Sequence, residues 1–290
     1  MGKILGELVI KPADIENFVT AIEWAAAEGW NPGIDDLEAF YSADRSGFIM
    51  GFIDGVPVSS ISVIKYGENF GFLGFYIVRP DLRGSGIGLA TWNAGMAYLE
   101  GRAIGLDGVA DQQSNYRKSG FEYVCSNIRY CGIPVSMHSL KSALKIEDVT
   151  LRSASEIIAY DSAFFPAPRG EFIRHWTQEG SHGSRIAKCV KSGDKIIGYG
   201  VIRKCRSGFK IGPLFCDDED VADALFWSLV NAVGPDVEVS LDVPNINMQA
   251  VNLAERYGLN PAFETARMYK GGAPDLTQAR VFGVTTFELG

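Results

Sequence analysis

The stretch "VRPDLRGSGIG", Val78 to Gly88, decides how this chain is read. An apolar run, "FGFLGFYIV", precedes it, and a helix-period segment, "GLATWNAGMAYLEGR", follows. A strand leading through glycines into a helix is a site for phosphate. Glycine lets the backbone turn tightly, so successive N–H groups point inward to meet the free N–H groups and positive dipole end of the next helix. A P-loop needs a Lys after its glycines, and none stands there. A dinucleotide fingerprint needs GxGxxG in an opening βαβ unit. Here the glycines fall at 84, 86 and 88, residue 89 is Leu, and hairpin strands come before the loop. A third pattern, R/Q-x-x-G-x-G/A, fits Arg83, Gly86 and Gly88.

Outward from the loop, the chain repeats itself. A constant offset of 138 places Gly55 on Gly193, "VIK" (63–65) on "VIR" (201–203) and Gly74 on Gly212. The same offset places Gly120 on Gly258 and Arg129 on Arg267. These are turn and close-approach positions, which set backbone geometry. The chain is therefore expected to be two copies of one domain, each of about 140 residues, an ordinary domain size. They divide as 1–144 and 145–290, with the join near Lys141 to Asp148. Each copy reads as α/β. In the first, "ELVIKP" is a strand and "ADIENFVTAIEWAAAEG" is helical in period. The segment "GFIMGFIDGVPVSSISVIKYG" is a hairpin around Asp54-Gly55. "AIGLDGV" is a short buried strand, "QQSNYRKSG" a helix closed by Gly120, and "FEYVCSNIRYC" a last strand.

Applied without gaps, the offset maps Arg83, Gly84, Gly86 and Gly88 onto Val221, Ala222, Ala224 and Phe226, behind the acidic run "CDDED". Tyr116 maps to Ala254. Acids at a helix start suit the dipole and repel pyrophosphate. The second copy is expected to have a degenerate loop and to bind no cofactor.

Composition narrows the classes. The chain has 290 residues, 47% hydrophobic and 21% charged, which suits a globular protein with one or two cores. A net charge of −8 argues against a nucleic-acid surface, and no apolar run is long enough for a membrane span. The start lacks a signal peptide's apolar segment. Its Met1-Gly2 is a weak acylation cue, since position 6 is Gly. Five scattered cysteines without CxxC spacing read as reduced thiols in a cytoplasmic protein. The histidines, at 138, 175 and 182, have no ligand partner at metal spacing, so no metal is expected.

The order of elements, "VRPDLRGSGIG" and "YRKSGF" together resemble the GCN5-related N-acetyltransferase (GNAT) family over nearly all of the first half. The whole chain looks like the subgroup with two such domains in tandem. In that subgroup "EGWNPG", "LDGV", "FPAPR", "GPLF", "LDVP" and "TARMYKG" are typical strings, and all occur here. The resemblance implies two tandem GNAT (acyl-CoA N-acyltransferase) domains. Each is a mixed, mostly antiparallel sheet flanked by helices. It also implies an acetyl-CoA-dependent N-acetyltransferase that acts on a primary amine of a small molecule or a protein. On this reading Arg83, Gly84, Ser85, Gly86, Ile87 and Gly88 hold the coenzyme A pyrophosphate. Backbone groups at Ile77 and Val78 bond the pantetheine arm like an added strand. Tyr116 matches the tyrosine the family places by the sulfur, where a phenol can protonate the leaving thiolate. Trp30 and Asn31 of "EGWNPG" border the acceptor, and Arg169 of "FPAPR" and Arg267 of "RMY" are candidates to wall its pocket. The general base stays open. Asp107 and Asp111 flank the turn after "LDGV", and a water chain or an N-capping role competes for each. Two other functions stay open as well, a non-catalytic acyl-CoA sensor and a scaffold with a vestigial site. The oligomeric state is not read.

Overall fold

The computed structural model describes residues 6–135 and 144–290. The Met1-Gly2 start, His138 and residues 141–143 of the expected join lie outside the described residues. In chain order the first half gives β1 (Leu8–Pro12), α1 (Ile15–Ala27), α2 (Asp36–Ala43), β2 (Phe48–Ile53), β3 (Val56–Tyr66) and β4 (Phe70–Val78). It continues with α3 (Ile87–Tyr98), β5 (Ala103–Val109), α4 (Gln113–Lys118) and β6 (Glu122–Gly132). The second gives β7 (Ile146–Asp148), α5 (Ala154–Asp161), α6 (Gly170–Trp176), β8 (Arg185–Ser192), β9 (Lys195–Lys204) and β10 (Phe209–Cys216). It closes with α7 (Glu219–Val233), β11 (Val239–Pro244), α8 (Met248–Arg256), β12 (Asn260–Lys270) and β13 (Val281–Gly283).

Local chemistry explains the elements that bound the site. Asp14 caps α1 by accepting the Asn17 amide at 2.8 Å, and Phe18, Ala21, Ile22 and Ala25 form its buried stripe. The β2–β3 turn takes positive φ at Asp54 and Gly55, the geometry a two-residue hairpin loop requires. β3 and β4 are buried on both faces because helices cover both. On one face α3 closes a core around Trp92, Ile61, Val63 and Leu73. On the other, α1 and α2 meet α5 and α6 in a single aromatic core common to both halves, where Phe40 stacks on Trp176 at 5.6 Å.

The described strands form one 13-stranded sheet, in the order β1-β2-β3-β4-β5-β12-β6-β11-β10-β9-β8-β7, with β13 beside β10. The halves have exchanged their last strands. A self-contained half would pair β5 with β6. Instead β12, from the second half, lies antiparallel between them, and β6 lies between β12 and β11.

Two matched ion pairs lock the exchange. Arg129 of β6 grips Asp242 of β11 at 2.7 and 2.8 Å, and Arg267 of β12 grips Asp107 of β5 at 2.9 and 2.7 Å. All four side chains are buried or nearly so. Arg267→Ala strands Asp107, whose side chain is wholly buried, with Asn127 and Thr265 as its remaining hydrogen-bond partners among the described residues. Removing one partner of a buried pair costs roughly 3–5 kcal/mol. Denaturant unfolding of the Ala variant checks that expectation.

One mapping from the sequence needs correction. The ungapped offset placed the glycine-loop residues on Val221 to Phe226, as though those positions had been substituted. The structure puts Val221, Ala222, Ala224 and Phe226 inside α7. Residues 79–86 connect β4 to α3, whereas only residues 217–218 connect β10 to α7. The loop is deleted in the second half, not altered. Asp218 there caps α7 through the Val221 amide at 2.9 Å.

Candidate active site

The two halves treat one topological feature differently. In the first, β4 and β5 run parallel only from Phe70–Leu73 against Ala103–Leu106, then part. A bulge causes the parting. Ser62 faces Gly74 but Ser60 faces Ile77, so β4 carries an extra residue. Phe75 has φ +44°, a conformation that side chains rarely adopt, with its ring held between Phe18 and Phe40. The Ser60 hydroxyl donates to the Phe75 carbonyl at 2.8 Å and pins the bulge. Beyond Leu73, no strand among the described residues pairs with the β4 edge that faces β5.

In the second half β10 and β11 likewise run parallel, here for three residues against the four of β4 and β5, and part after Ile211. There the gap is filled by the chain itself. β13 pairs with β10 at Leu214 and Phe215, and the Val284 amide donates to the Asp242 carbonyl at 2.9 Å.

Over the open gap sits the glycine loop. Gly84 and Gly86 have φ of +79° and +90°, and a Cβ at either would meet nothing within 4 Å. The amides of Gly84, Gly86, Ile87 and Gly88 donate to no backbone group among the described residues, and the first helical bond is Ala90 to Gly86. Open space faced by free donors at a helix N-terminus is what a pyrophosphate fits. Gly88 has another task. A Cβ there would stand 2.9 Å from the Tyr76 hydroxyl, so glycine lets α3 pack on β4. Arg83 donates through Nε to the Val78 carbonyl at 3.0 Å and pairs with Glu28 of "EGWNPG", which ties the loop to α1's far end. Ser85 bonds back to the Leu82 carbonyl at 2.6 Å.

Below the loop, a cavity lies in the fork of the strands. β4 lines it with Leu73 to Tyr76, β5 with Leu106, Asp107 and Val109, and the segment after β5 with Gln112 and Tyr116. Trp30, Phe263 and Thr265 of β12, and Phe287 and Glu288 close it. Tyr116 is 7% exposed and stacks on Trp92 at 5.5 Å. A Cβ on Gly108 would fall 2.6 Å from the Tyr116 ring, so the glycine of "LDGV" lets that ring lie against β5. The Tyr116 hydroxyl has no hydrogen-bond partner among the described residues, and burial, with Tyr76 adding to it, pushes the phenol above its usual range.

The other residues singled out from the sequence separate by location. Trp30 lines the cavity, its ring 6.5 Å from Phe75 and its carbonyl accepting from Arg129 at 2.9 Å. Asn31 does not line it. Asn31 sits at φ +52° and clamps Ser207 of the second half by two bonds, at 2.8 and 2.9 Å. Arg267 is taken up by Asp107. Arg169 lies by a different cavity, bonded to Asp161 at 2.8 Å twice and to a main-chain oxygen of Gly290 at 2.9 Å. Of the two acids considered as base, Asp107 is held by Arg267 and Asn127, and Asp111 is exposed in the turn before α4, outside the cavity lining. Glu288, Phe287 and Phe263 were not found from the sequence. They come from segments outside the motifs that the sequence singled out.

Residues 16–121 match the Acetyltransferase (GNAT) family, and residues 157–283 match the Acetyltransferase (GNAT) domain. A holothin acyltransferase from Pseudoalteromonas sp. (strain SANK 73390) is 32% identical over 281 residues, 97% of this chain and 94% of the relative. The chain belongs to the GNAT acyltransferase family. It is an N-acyltransferase with two GNAT domains, and solved structures share its fold. A protein from Pyrococcus horikoshii considered an acetyltransferase superposes with a TM-score of 0.80 at 17% identity, covering 100% of this chain and 99% of that one. A tandem GNAT protein from the clavulanic acid biosynthesis pathway superposes at 0.59 and 14% identity, covering 93% and 100%. As in those GNAT folds, each half is a mixed sheet with flanking helices. No helix among the described residues is long and apolar enough to cross a membrane.

Proposed function

We propose that this GNAT acyltransferase moves an acetyl group from acetyl-CoA to a primary amine of a small molecule or a protein, at one site in the first half. The observation that carries the reading is the open strand fork. An unpaired β4 edge leads from free loop amides into a cavity that holds an unpartnered phenol. The amides from Gly84 to Gly88 would take the pyrophosphate, with Arg83 and Ser85 shaping the turn. Main-chain groups at Ile77 and Val78 would take the pantetheine amides as an added strand would. Trp30 would wall the acceptor end. In the transfer, the amine nitrogen forms a bond to the thioester carbon and the carbon–sulfur bond breaks. The nitrogen gives up its protons, and Tyr116 delivers one to the leaving sulfur. We propose further that the halves divide at residue 144, with their last strands exchanged, and that the enzyme is cytoplasmic, as its five free thiols suggest.

The relative's name gives holothin as what it acylates, so holothin is the first acceptor to assay, within a panel of small amines and peptide N-termini. Formation of an acetamide from acetyl-CoA supports the reading. Release of acetyl-CoA's thiol with no amine consumed, across the whole panel, overturns it. Stoichiometry gives a second check. The second gap is occupied by β13, and its loop is missing, so calorimetry is expected to show one coenzyme A per chain. Two equivalent sites would refute the assignment to the first half alone.

A further inference from the structure

An alkylamine has a pKa near 10, so at neutral pH the acceptor arrives as an ammonium ion and must lose a proton before it can attack. Two acids line the cavity, Asp107 and Glu288. Asp107 is fully engaged by Arg267 and Asn127. Glu288 is different. It is 5% exposed, and its carboxylate has neither a hydrogen bond nor an ion pair among the described residues. An unpartnered buried carboxylate is costly, and such groups persist where they serve a reaction.

We propose that Glu288 is the general base that takes the proton from the acceptor ammonium, a role that rests on the N-acyltransfer reading above. The segment after β13 is laid against the bulge that opens the fork. A Cβ on Gly74 would come 2.1 Å from the Glu288 carbonyl oxygen, so only glycine allows the approach. Tyr66 donates to the Leu289 carbonyl at 3.1 Å, and the Leu289 amide donates to Thr286 at 2.9 Å. Glu288 is thereby fixed in the cavity that also holds Tyr116 and Trp30. The division of labour follows. One proton of the ammonium goes to Glu288 and on to solvent. After the carbon–nitrogen bond forms, the nitrogen loses a second proton, and the sulfur gains one from Tyr116, whose phenol is restored. The sum is amine cation plus thioester giving amide, thiol and one proton.

The surroundings suit a base. Burial raises the carboxyl, while Lys210 of β10, Arg129 of β6 and Arg203 of β9 pull it back down and Asp36 of α2 opposes them. A carboxyl raised toward the working pH accepts a proton more readily.

The test is Glu288→Gln, which keeps the shape of the segment. With an alkylamine acceptor at pH 7, kcat/KM is expected to fall by roughly 10²- to 10⁴-fold. Acetyl-CoA affinity by calorimetry is expected to stay within about twofold. The deciding readout is a second acceptor, an aromatic amine already neutral at pH 7, for which the Gln defect should shrink at least tenfold. Glu288→Asp should retain the alkylamine activity in part and keep the rise of rate with pH. An equal defect on both amines, or an Asp variant as slow as Gln, overturns the proposal. If wild type transfers to no amine of either kind, the functional reading itself fails, and that outcome is distinct.

Discussion

Tyr116→Phe is expected to lower kcat by roughly 10²- to 10⁴-fold, the range for a lost general acid. The variant removes one oxygen and leaves every contact of the ring. Trp92 still stacks on it, Phe121 still meets it edge-on at 6.4 Å, and Gly108 still makes room for it. The fold should therefore be unaffected, and thermal unfolding should show no large change. The oxygen, in contrast, has no hydrogen-bond partner among the described residues whose loss would need repair. On the proposed reading its partner is the substrate, and the thiolate leaving the thioester is the group that needs a proton there. Burial holds the phenol protonated through and beyond its ordinary range near 10, so it stays a donor at every working pH. Acetyl-CoA affinity should change little, because the thiolate's charge exists only late in the reaction. A Phe variant with full kcat from pH 6 to 9 would make Tyr116 a packing residue and send the search for the acid to Tyr76 or to solvent.

What the sequence made legible, and what it concealed, follows from how each signal is encoded. Turns and caps are local. The left-handed glycines at 55, 120, 193 and 258, and the hairpin at Asp54-Gly55, could be read because each needs its residue type on the spot. Strand partners are not local. β6 and β12 carry nearly the same burial pattern, an exposed start followed by buried runs, so the exchange leaves no trace in periodicity. Its best clue was half visible. Arg129 and Arg267 matched at offset 138, but their partners do not. In the structure Leu106-Asp107 and Leu241-Asp242 occupy equivalent places in β5 and β11, three residues off the register that the ungapped comparison imposed. The same rigidity of register turned a deleted loop into an apparent substitution. Glu288 was concealed for a simpler reason. It lies in "VFGVTTFELG", a segment with no repeat partner, and its place in the cavity depends on a glycine 214 positions earlier in the chain, which only the folded structure brings beside it.

The forks of the two halves explain why one fold can be both a catalyst and its own support. A parallel pair that parts leaves main-chain donors and acceptors unpaired, and buried groups of that kind must find partners. In the second half β13 supplies them permanently, and Leu214, Gly283 and Leu241 pack the space. In the first half no strand among the described residues pairs with that edge beyond Leu73, and only Arg83 reaches it, through the Val78 carbonyl, so main-chain groups remain there for a ligand with spaced amides. The segment that seals one fork then runs on to place Phe287 and Glu288 in the other. The second half has a shorter β10–α7 connection and a filled fork, and it contributes side chains to the cavity of the first.

Gly86→Val should reduce acetyl-CoA binding by about 100-fold or more, the largest effect expected from one substitution outside the cavity. Gly86 is the residue just before α3, at φ +90°, and the space beside it is empty. A valine there acts in two ways. Its Cβ and methyl groups enter the volume from which a phosphate must approach the amides of Gly84 to Gly88. Its branched side chain also disfavours the left-handed backbone that aims those amides, at a cost of about 1–3 kcal/mol. A charge-assisted hydrogen bond is worth about 1.5–3 kcal/mol, so losing two removes at least about 3 kcal/mol, or roughly two decades of affinity. Backbone strain alone could mimic part of this by loosening the fold, and Gly101 separates the two causes. Gly101 has φ +80° and open space around its absent Cβ, but it lies past the other end of α3. Gly101→Val should incur the same strain, lower the melting temperature by a similar amount and bind acetyl-CoA as wild type does. Calorimetry and thermal unfolding on the two variants decide the matter. Equal loss of binding in both would mean that α3's stability governs affinity. Unchanged binding in Gly86→Val would mean that the pyrophosphate rests elsewhere than on this loop.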